Sequence, residues 1–474
     1  MTRSKWLGAI GILRTLAACS SAANSGPDAD TGGAPGSVNA WGGSGSLGAG
    51  GTAGAGAPGT AGNGAANGSG FGRPGSGGRG EPGGGSGGDD GGGTSNGGAS
   101  SSGGGSENGT SGPFVPPPSE NPFAGAAFYL SADYAGEVQT SMDADPSNAA
   151  LLSKVKSIST AVWLDRIARV PDASRHLDAA KAQEAAAGEP VVTVFVVYDL
   201  PNRDCAAKAS NGELAVESGG LDRYEHEYID AIHAAFAAHG DQRIVAIVEP
   251  DSLPNLATNM NQPKCAASAD AYRQGVAYAI RTLSAPNVFL YLDAAHSGWL
   301  GWPNNQTATA QIFKEVLDAA GGAEKIRGFA TNTANYSVLR ETTELFDYQG
   351  NPCHDELTFV SQFTNALANA GISGKGFIVD TSRNGRGGIR HAWGNWCNVV
   401  GAGMGERPVA DPVAGVDAYY WVKPPGESDG TSDASAVRYD SFCGNEDAAK
   451  PAPEAGTWFD SYFRAVAKNA NPPL

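Results

Sequence analysis

Val191-Val192-Thr193-Val194-Phe195-Val196-Val197-Tyr198 is an apolar, β-branched run that opens directly onto Asp199. A run without polar alternation predicts a strand buried on both faces, as parallel sheets require. An Ala-rich helical stretch follows over 222–239, and a second β-branched run over 244–249. Strand, helix, strand is a βαβ unit. The alternation continues on both sides, with strands expected at 159–164, 288–292, 327–331, 377–380 and 417–421 and helices at 268–283, 307–320, 355–370 and 457–468. Seven parallel strands predict an α/β fold: a distorted (β/α) barrel, a variant of the eight-stranded TIM barrel.

The strands end in polar and aromatic residues. Tyr198-Asp199, Glu249-Pro250-Asp251, Asp293, Thr331-Asn332, Asp380 and Trp421-Val422-Lys423 stand at C-terminal ends, which in a parallel barrel share one rim. A single carboxylate there is ordinarily a cap or an ion-pair partner. Several of them, interleaved with Trp163, Trp299, Trp302 and Trp393, point to a site. An indole stacks on the apolar C–H face of a pyranose, whose hydroxyls need donors and acceptors, although each tryptophan alone is equally well a core residue.

The chain has 474 residues and 68 glycines, 35 of which lie in the 80 residues of 31–110. Residues 20–118, rich in Gly, Ser, Ala, Asn and Thr, cannot bury enough apolar surface to offset their ordering entropy and are expected as a disordered linker. Such a tether reaches roughly 50–60 Å. The net charge is −17, and residues 119–474, the expected catalytic domain, hold 27 basic against 43 acidic residues. That excess repels phosphate backbones and argues against a nucleic-acid partner. Residues 1–19 read as an export signal: Arg3 and Lys5 precede an apolar run that ends in Leu16-Ala17-Ala18-Cys19. The tetrapeptide resembles the lipobox of bacterial lipoproteins, which would acylate Cys19 and make a cell-surface lipoprotein. Arg14 interrupts the run, and the other reading is an ordinary secretory signal with an incidental cysteine and an extracellular protein.

Two further stretches identify a family. Val196-Val197-Tyr198-Asp199-Leu200-Pro201-Asn202-Arg203-Asp204-Cys205 and Ile247-Val248-Glu249-Pro250-Asp251-Ser252-Leu253-Pro254 closely resemble the two signature motifs of the glycoside hydrolase family 6 cellulases. The resemblance runs on, in the family's order, through Tyr291 to Pro303, Ala330 to Tyr336, Trp393 to Cys397 and Trp421 to Gly430. It implies hydrolysis of β-1,4-glucosidic bonds in cellulose or a related glucan, with inversion and no cofactor or metal. By the same resemblance Asp251 is the proton donor, Asp204 its charged partner, Asp429 a candidate base and Tyr198 a contact at the cleavage point. An ion pair with Arg203 is the plain alternative for Asp204, and a water chain toward Asp204 is the alternative to Asp429 as base. Lys423 and Glu427 match holders of sugar hydroxyls, and Trp163, His296, Trp299, Trp302, Asn335 and Trp393 match binding positions along the cleft. Asp293 matches a structural aspartate.

The resemblance also pairs Cys205 with Cys265 and Cys397 with Cys443. Cys353, in Asn351-Pro352-Cys353-His354, is left as a buried free thiol, since with His354 alone it lacks the ligands of a metal site. Long segments at 206–220 and 428–453 resemble the loops that roof the tunnel of cellobiohydrolases. They favour exo attack from the non-reducing end, releasing cellobiose, over endo attack in an open cleft. Two other readings compete: a non-catalytic polysaccharide-binding surface protein, which has no need of both Asp204 and Asp251, and a retaining β-glycosidase, whose carboxylates stand only ~5–5.5 Å apart. The chain is expected to act as a monomer.

Overall fold

The computed structural model of the protein describes residues 120–341 and 349–474. The expected export signal, with Cys19, and the expected linker lie outside the described residues. The strands are β1 (Ala127–Phe128), β2 (Val162–Leu164), β3 (Val191–Val197), β4 (Arg243–Val248), β5 (Val288–Asp293), β6 (Gly328–Thr331), β7 (Gly376–Asp380), β8 (Val409–Val413) and β9 (Val416–Tyr420). They form one sheet in the order β1-β3-β4-β5-β6-β7-β9-β8, with β2 also paired to β3. From β2 to β7, and on to β9, every pairing is parallel. These are the seven strands expected.

Closure of the barrel is slight. β1 occupies the first half of the β3 edge and the three-residue β2 the second half. The first and last barrel strands then meet through a single backbone bridge, Thr160 with Trp421, where the Ala161 N–H donates to the Trp421 carbonyl at 3.1 Å. Side chains add to it, with Trp163 Nε1 donating to the Val422 carbonyl at 2.9 Å and Ser159 Oγ meeting Tyr420 Oη. β8 was not expected from the sequence. It is an antiparallel edge strand with a proline and mostly exposed or half-buried side chains, so it carries no apolar signal.

Helices pack outside the barrel. Those at Pro263–Leu283 and Pro303–Ala320 begin earlier than the apolar pattern indicates, each at a proline whose fixed φ suits the first helical turn. The stretch expected as one helix over 222–239 is three consecutive pieces, Gly220–Arg223, a widened π turn at Tyr224–Ile229, and Asp230–Ala237. The helix expected at 355–370 is Glu356–Asn369, capped by the Asp355 carboxylate, which accepts from the Thr358 N–H at 2.7 Å. The last helix is Asp460–Lys468, three residues shorter at its start than expected.

Alternation along the strands separates two cores. Val192, Val194 and Val196 of β3, Val245 and Ile247 of β4, and Phe289 and Tyr291 of β5 fill the barrel with Phe123 and Tyr420. Phe195, Val197, Ala246 and Val248 point outward into the layer of helices. At the N-terminal end of the barrel, its floor, the Asp417 carboxylate accepts from Tyr291 Oη at 2.7 Å and from Arg327 Nη2 at 2.6 Å. Asn121 ties the first described residues to the same floor through the Asp417 carbonyl at 2.8 Å, and Arg243 Nη1 donates to the Ala124 carbonyl at 2.9 Å.

β6 and β7 approach so closely that a Cβ placed on Gly328 would stand 1.9 Å from the Gly376 carbonyl oxygen. Gly328→Ala should therefore lower the free energy of unfolding by roughly 1–3 kcal/mol. Gly136, inside the helix Ala132–Ala144, has nothing within 4 Å of such an atom. Gly136→Ala should raise stability by roughly 0.5–1 kcal/mol. Urea denaturation of the two variants checks both signs.

Candidate active site

The rim is built from backbone that L-residues rarely adopt. Asn202 and Asp204 after β3, Glu249 and Asp251 after β4, Ala295 after β5, and Asn332 and Ala334 after β6 all have φ between 51 and 61°. Each such non-glycine turn costs of order 1–2 kcal/mol and persists only where its surroundings hold it. Buried carboxylates do the holding. Glu249 accepts the N–H groups of Asp199 and Leu200 at 3.1 and 3.3 Å. Asp293 Oδ2 accepts those of Asp251 and Ala295 at 3.1 and 3.0 Å. Asp380 accepts those of Ala334, Ser382, Val422 and Lys423 at 2.9–3.2 Å. Burial lifts Glu249 to about 7 and Asp293 to about 6, with their backbone hydrogen bonds opposing the rise. Of the rim carboxylates read from the sequence as site candidates, Glu249, Asp293 and Asp380 are thus backbone caps. Asp199 is a fully buried partner of Arg203 at 3.6 Å, and burial pushes its carboxyl up to about 8.

The loops these caps shape enclose a cavity of about 200 Å³ lined by Tyr198, Asp204, Asp251, Asp429, Trp163, His296, Trp299, Asn335, Lys423 and Glu427. Asp251 borders it directly, and its carboxyl is held well above the usual carboxylate range, first by withdrawal from water and then by the charges of Asp204 and Asp293. A carboxyl raised in this way holds its proton more tightly than a free one, which suits a proton donor. Asp204 is not paired with Arg203 as its plain alternative required. Its Oδ2 accepts from Tyr198 Oη at 2.6 Å and from Ser210 Oγ. Arg203 instead lies over the Tyr198 ring, 4.3 Å from its centroid, and donates from Nε to the Ser210 carbonyl at 2.7 Å.

Asp429 is fully engaged. Oδ1 accepts from Arg383 Nη1 at 2.7 Å, and Oδ2 from Tyr336 Oη at 2.6 Å and the Asn398 N–H at 2.8 Å. Arg383 is completely buried and stacks 4.3 Å from the Tyr336 centroid. Lys423 Nζ reaches Glu427 Oε2 at 3.2 Å and sits 5.4 Å from the Trp163 ring centroid, and the edge of that ring meets Tyr198 at 5.4 Å. Burial and the Arg390 charge push His296 down to about 3, so its imidazole is neutral. Trp302 and Trp393 stand outside the cavity lining, 5.5 Å apart, and Trp393 borders a separate small pocket.

Two segments cover the cavity. Ala206, Ala207 and Ser210 line it from one side and Arg438, Ala455 and Gly456 from the other. They touch: the Lys208 N–H donates to Asp440 Oδ2 at 2.9 Å, and Ala209 packs on Cys397 and Cys443 with Trp396 and Phe442 alongside. Both expected disulfides are formed, Cys205–Cys265 and Cys397–Cys443, and Cys353 is a buried free thiol. Among the described residues no group of His, Cys, Asp and Glu could hold a metal ion, and no helix is long and apolar enough to cross a membrane. Sequence reasoning missed Trp396, Ser210 and Arg383. Trp396 lies three residues from Trp393 within a motif already singled out, whereas Ser210 and Arg383 sit among residues with no distinctive pattern.

The Glycosyl hydrolases family 6 profile matches residues 123–470. The chain is similar to exoglucanase 3 of Agaricus bisporus, 46% identical over 358 residues that cover 75% of this chain and 80% of the relative. It is similar to 1,4-beta-D-glucan cellobiohydrolase C of Emericella nidulans, 46% identical over 364 residues, 75% of this chain and 79% of that one. Among solved structures, cellobiohydrolase II of Humicola insolens in complex with glucose and cellotetraose superposes with a TM-score of 0.73 at 42% identity, covering 75% of this chain and all of the other. A rim of capped left-handed turns, a raised carboxyl beside a second aspartate, and a sequence match that runs the length of the barrel agree with one another: the chain belongs to glycosyl hydrolases family 6.

Proposed function

We propose that the protein hydrolyses β-1,4-glucosidic bonds of cellulose from the non-reducing end, with inversion, and releases cellobiose. The observation that carries this reading is geometric: Asp251 borders the cavity beside Asp204 and Tyr198, with its carboxyl withdrawn from water and raised above the usual carboxylate range. Asp251 gives its proton to the glycosidic oxygen as the bond breaks. Asp204, oriented by Tyr198 and Ser210, supplies negative charge to the oxocarbenium-like sugar and disfavours ionisation of Asp251. Lys423 and Glu427 hold sugar hydroxyls near the cleavage point, and His296, Trp299, Trp302, Asn335 and Trp393 bind the chain along the cleft, with Trp163 at its far end. Asp429 is poorly placed as the base, because its oxygens are already occupied by Arg383, Tyr336 and the Asn398 N–H. Activation of water through Asp204 is the better reading.

Exo action is supported by the contact between the two covering segments and by the names of the relatives, an exoglucanase and a cellobiohydrolase. A threaded chain cannot leave sideways between cuts. Export is supported by Leu16-Ala17-Ala18-Cys19 after a basic start, and a lipid on Cys19 would hold the domain at the cell surface. The monomer is the working unit, since the site is assembled from one chain.

Three outcomes are expected. Asp251→Asn lowers kcat on amorphous cellulose by about 10²–10⁴-fold without loss of fold, whereas Asp429→Asn has a smaller effect, and steady-state rates with circular dichroism compare them. On carboxymethyl cellulose viscosity falls slowly while reducing ends accumulate; a steep early fall in viscosity would mean endo attack. Radiolabelled palmitate is incorporated into the wild-type protein and not into Cys19→Ser, and recovery of unlabelled wild-type protein in the medium would leave an ordinary secretory signal.

A further inference from the structure

The turn that carries Trp299, the short helix Ser297–Leu300 with His296 before it and Gly301-Trp302 after it, is gripped from behind. Glu356 Oε1 accepts from the Ser297 N–H at 2.8 Å, while its Oε2 accepts from Thr331 Oγ1. Asn351 Nδ2 donates to the Ser297 carbonyl at 2.9 Å, and Gln306 Nε2 donates to the Gly301 carbonyl at 3.0 Å. The fit admits nothing larger: a Cβ on Gly301 would stand 2.1 Å from Asn351 Oδ1.

The gripping residues are themselves fixed by the rest of Asn351-Pro352-Cys353-His354. The Cys353 N–H donates to Asn351 Oδ1 at 2.8 Å, and His354 Nε2 meets the Asn351 carbonyl at 2.7 Å. Cys353 Sγ lies 3.5 Å from Gln306 Nε2 and 3.0 Å from Gln362 Oε1. Burial pushes this thiol up to about 12, so it stays neutral and unreactive, suited to packing rather than chemistry. Asn351, Cys353 and Glu356 are all at most 2% exposed, so none of them reaches a substrate.

We infer that 351–356 is a bracket that sets the place of the Trp299 and Trp302 indoles, with Asn351 and Glu356 as positioning residues for the glucan chain beyond the cleavage point. The inference rests on the cellulase reading above, which makes those indoles sugar platforms. A bracket of this kind governs how well a long chain is held and leaves the acid, Asp251, and its partner Asp204 untouched. Small displacements of a binding surface are costly to it, of order tenfold to a hundredfold per ångström.

The test is steady-state kinetics of the whole enzyme on cellohexaose and cellotriose. Glu356→Ala and Asn351→Ala should raise KM for cellohexaose about tenfold, with kcat within about twofold and cellotriose kinetics little changed. Glu356→Gln should restore most of the loss, since its amide oxygen still accepts from Ser297 and its amide nitrogen can donate to Thr331. Asn351→Asp keeps the acceptor for Cys353 and loses the donor to Ser297, so it gives the same KM effect in a variant that folds if the alanine variants do not. Trp299→Ala is the reference. If it raises KM for cellohexaose and the bracket variants do not, or if they lower kcat equally on both substrates, the inference alone is overturned. If Trp299→Ala leaves KM unchanged, the cellulase reading of that wall falls, and the inference with it.

Discussion

The rim depends on one interaction, a buried carboxylate accepting backbone N–H groups from the strand-end turn beside it. Glu249 does this for the turn after β3, Asp293 for the turn after β4, and Asp380 for those after β6 and β9. Hydrogen bonds to a charged group contribute about 1.5–3 kcal/mol each, enough to offset the of order 1–2 kcal/mol cost of a left-handed residue. Without the caps, Asp204 and Asp251 would have no reason to sit in strained backbone. Both side chains line the cavity from these turns, and Asp251 is raised first by withdrawal from water and then by the charges of Asp204 and of the cap Asp293.

A second consequence is that negative charge is sorted by role. Around the cavity the carboxylates have different partners: the caps behind it, Glu249, Asp293 and Asp380, are satisfied by backbone N–H groups, Asp429 by Arg383 and Tyr336, Glu427 by Lys423, and Asp204 by the hydroxyls of Tyr198 and Ser210. This ordering is electrostatic, and it separates residues that look alike in sequence.

Seven parallel strands were legible because each is a continuous apolar run between Ala-rich helices, and burial on both faces leaves no ambiguity of period. β8 was not, because an exposed edge strand with Pro412 has no such run. Two helix starts were placed late because the apolar stripe begins a turn after the initiating prolines, Pro263 and Pro303. In the site, the motifs located the acid and its partner. They also marked Asp293 as structural, whereas the strand-end pattern alone could not tell the caps Glu249 and Asp380 from an acid, since a cap and an acid are the same side chain at the end of the same kind of strand. Trp302 and Trp393 lie off the cavity lining and meet each other at a tilt of 58°, a pairing that sequence spacing does not encode.

The chain enters the domain at the floor of the barrel, where Asn121 holds the start of β9, Arg243 holds the Ala124 carbonyl, and Phe123 fills the interior. The cavity opens at the opposite end. A pull applied through the residues before Asn121 would thus be borne by the base of the barrel, with the mouth left outermost. A load entering at Asn121 would leave the turns that carry Asp204 and Asp251 unloaded.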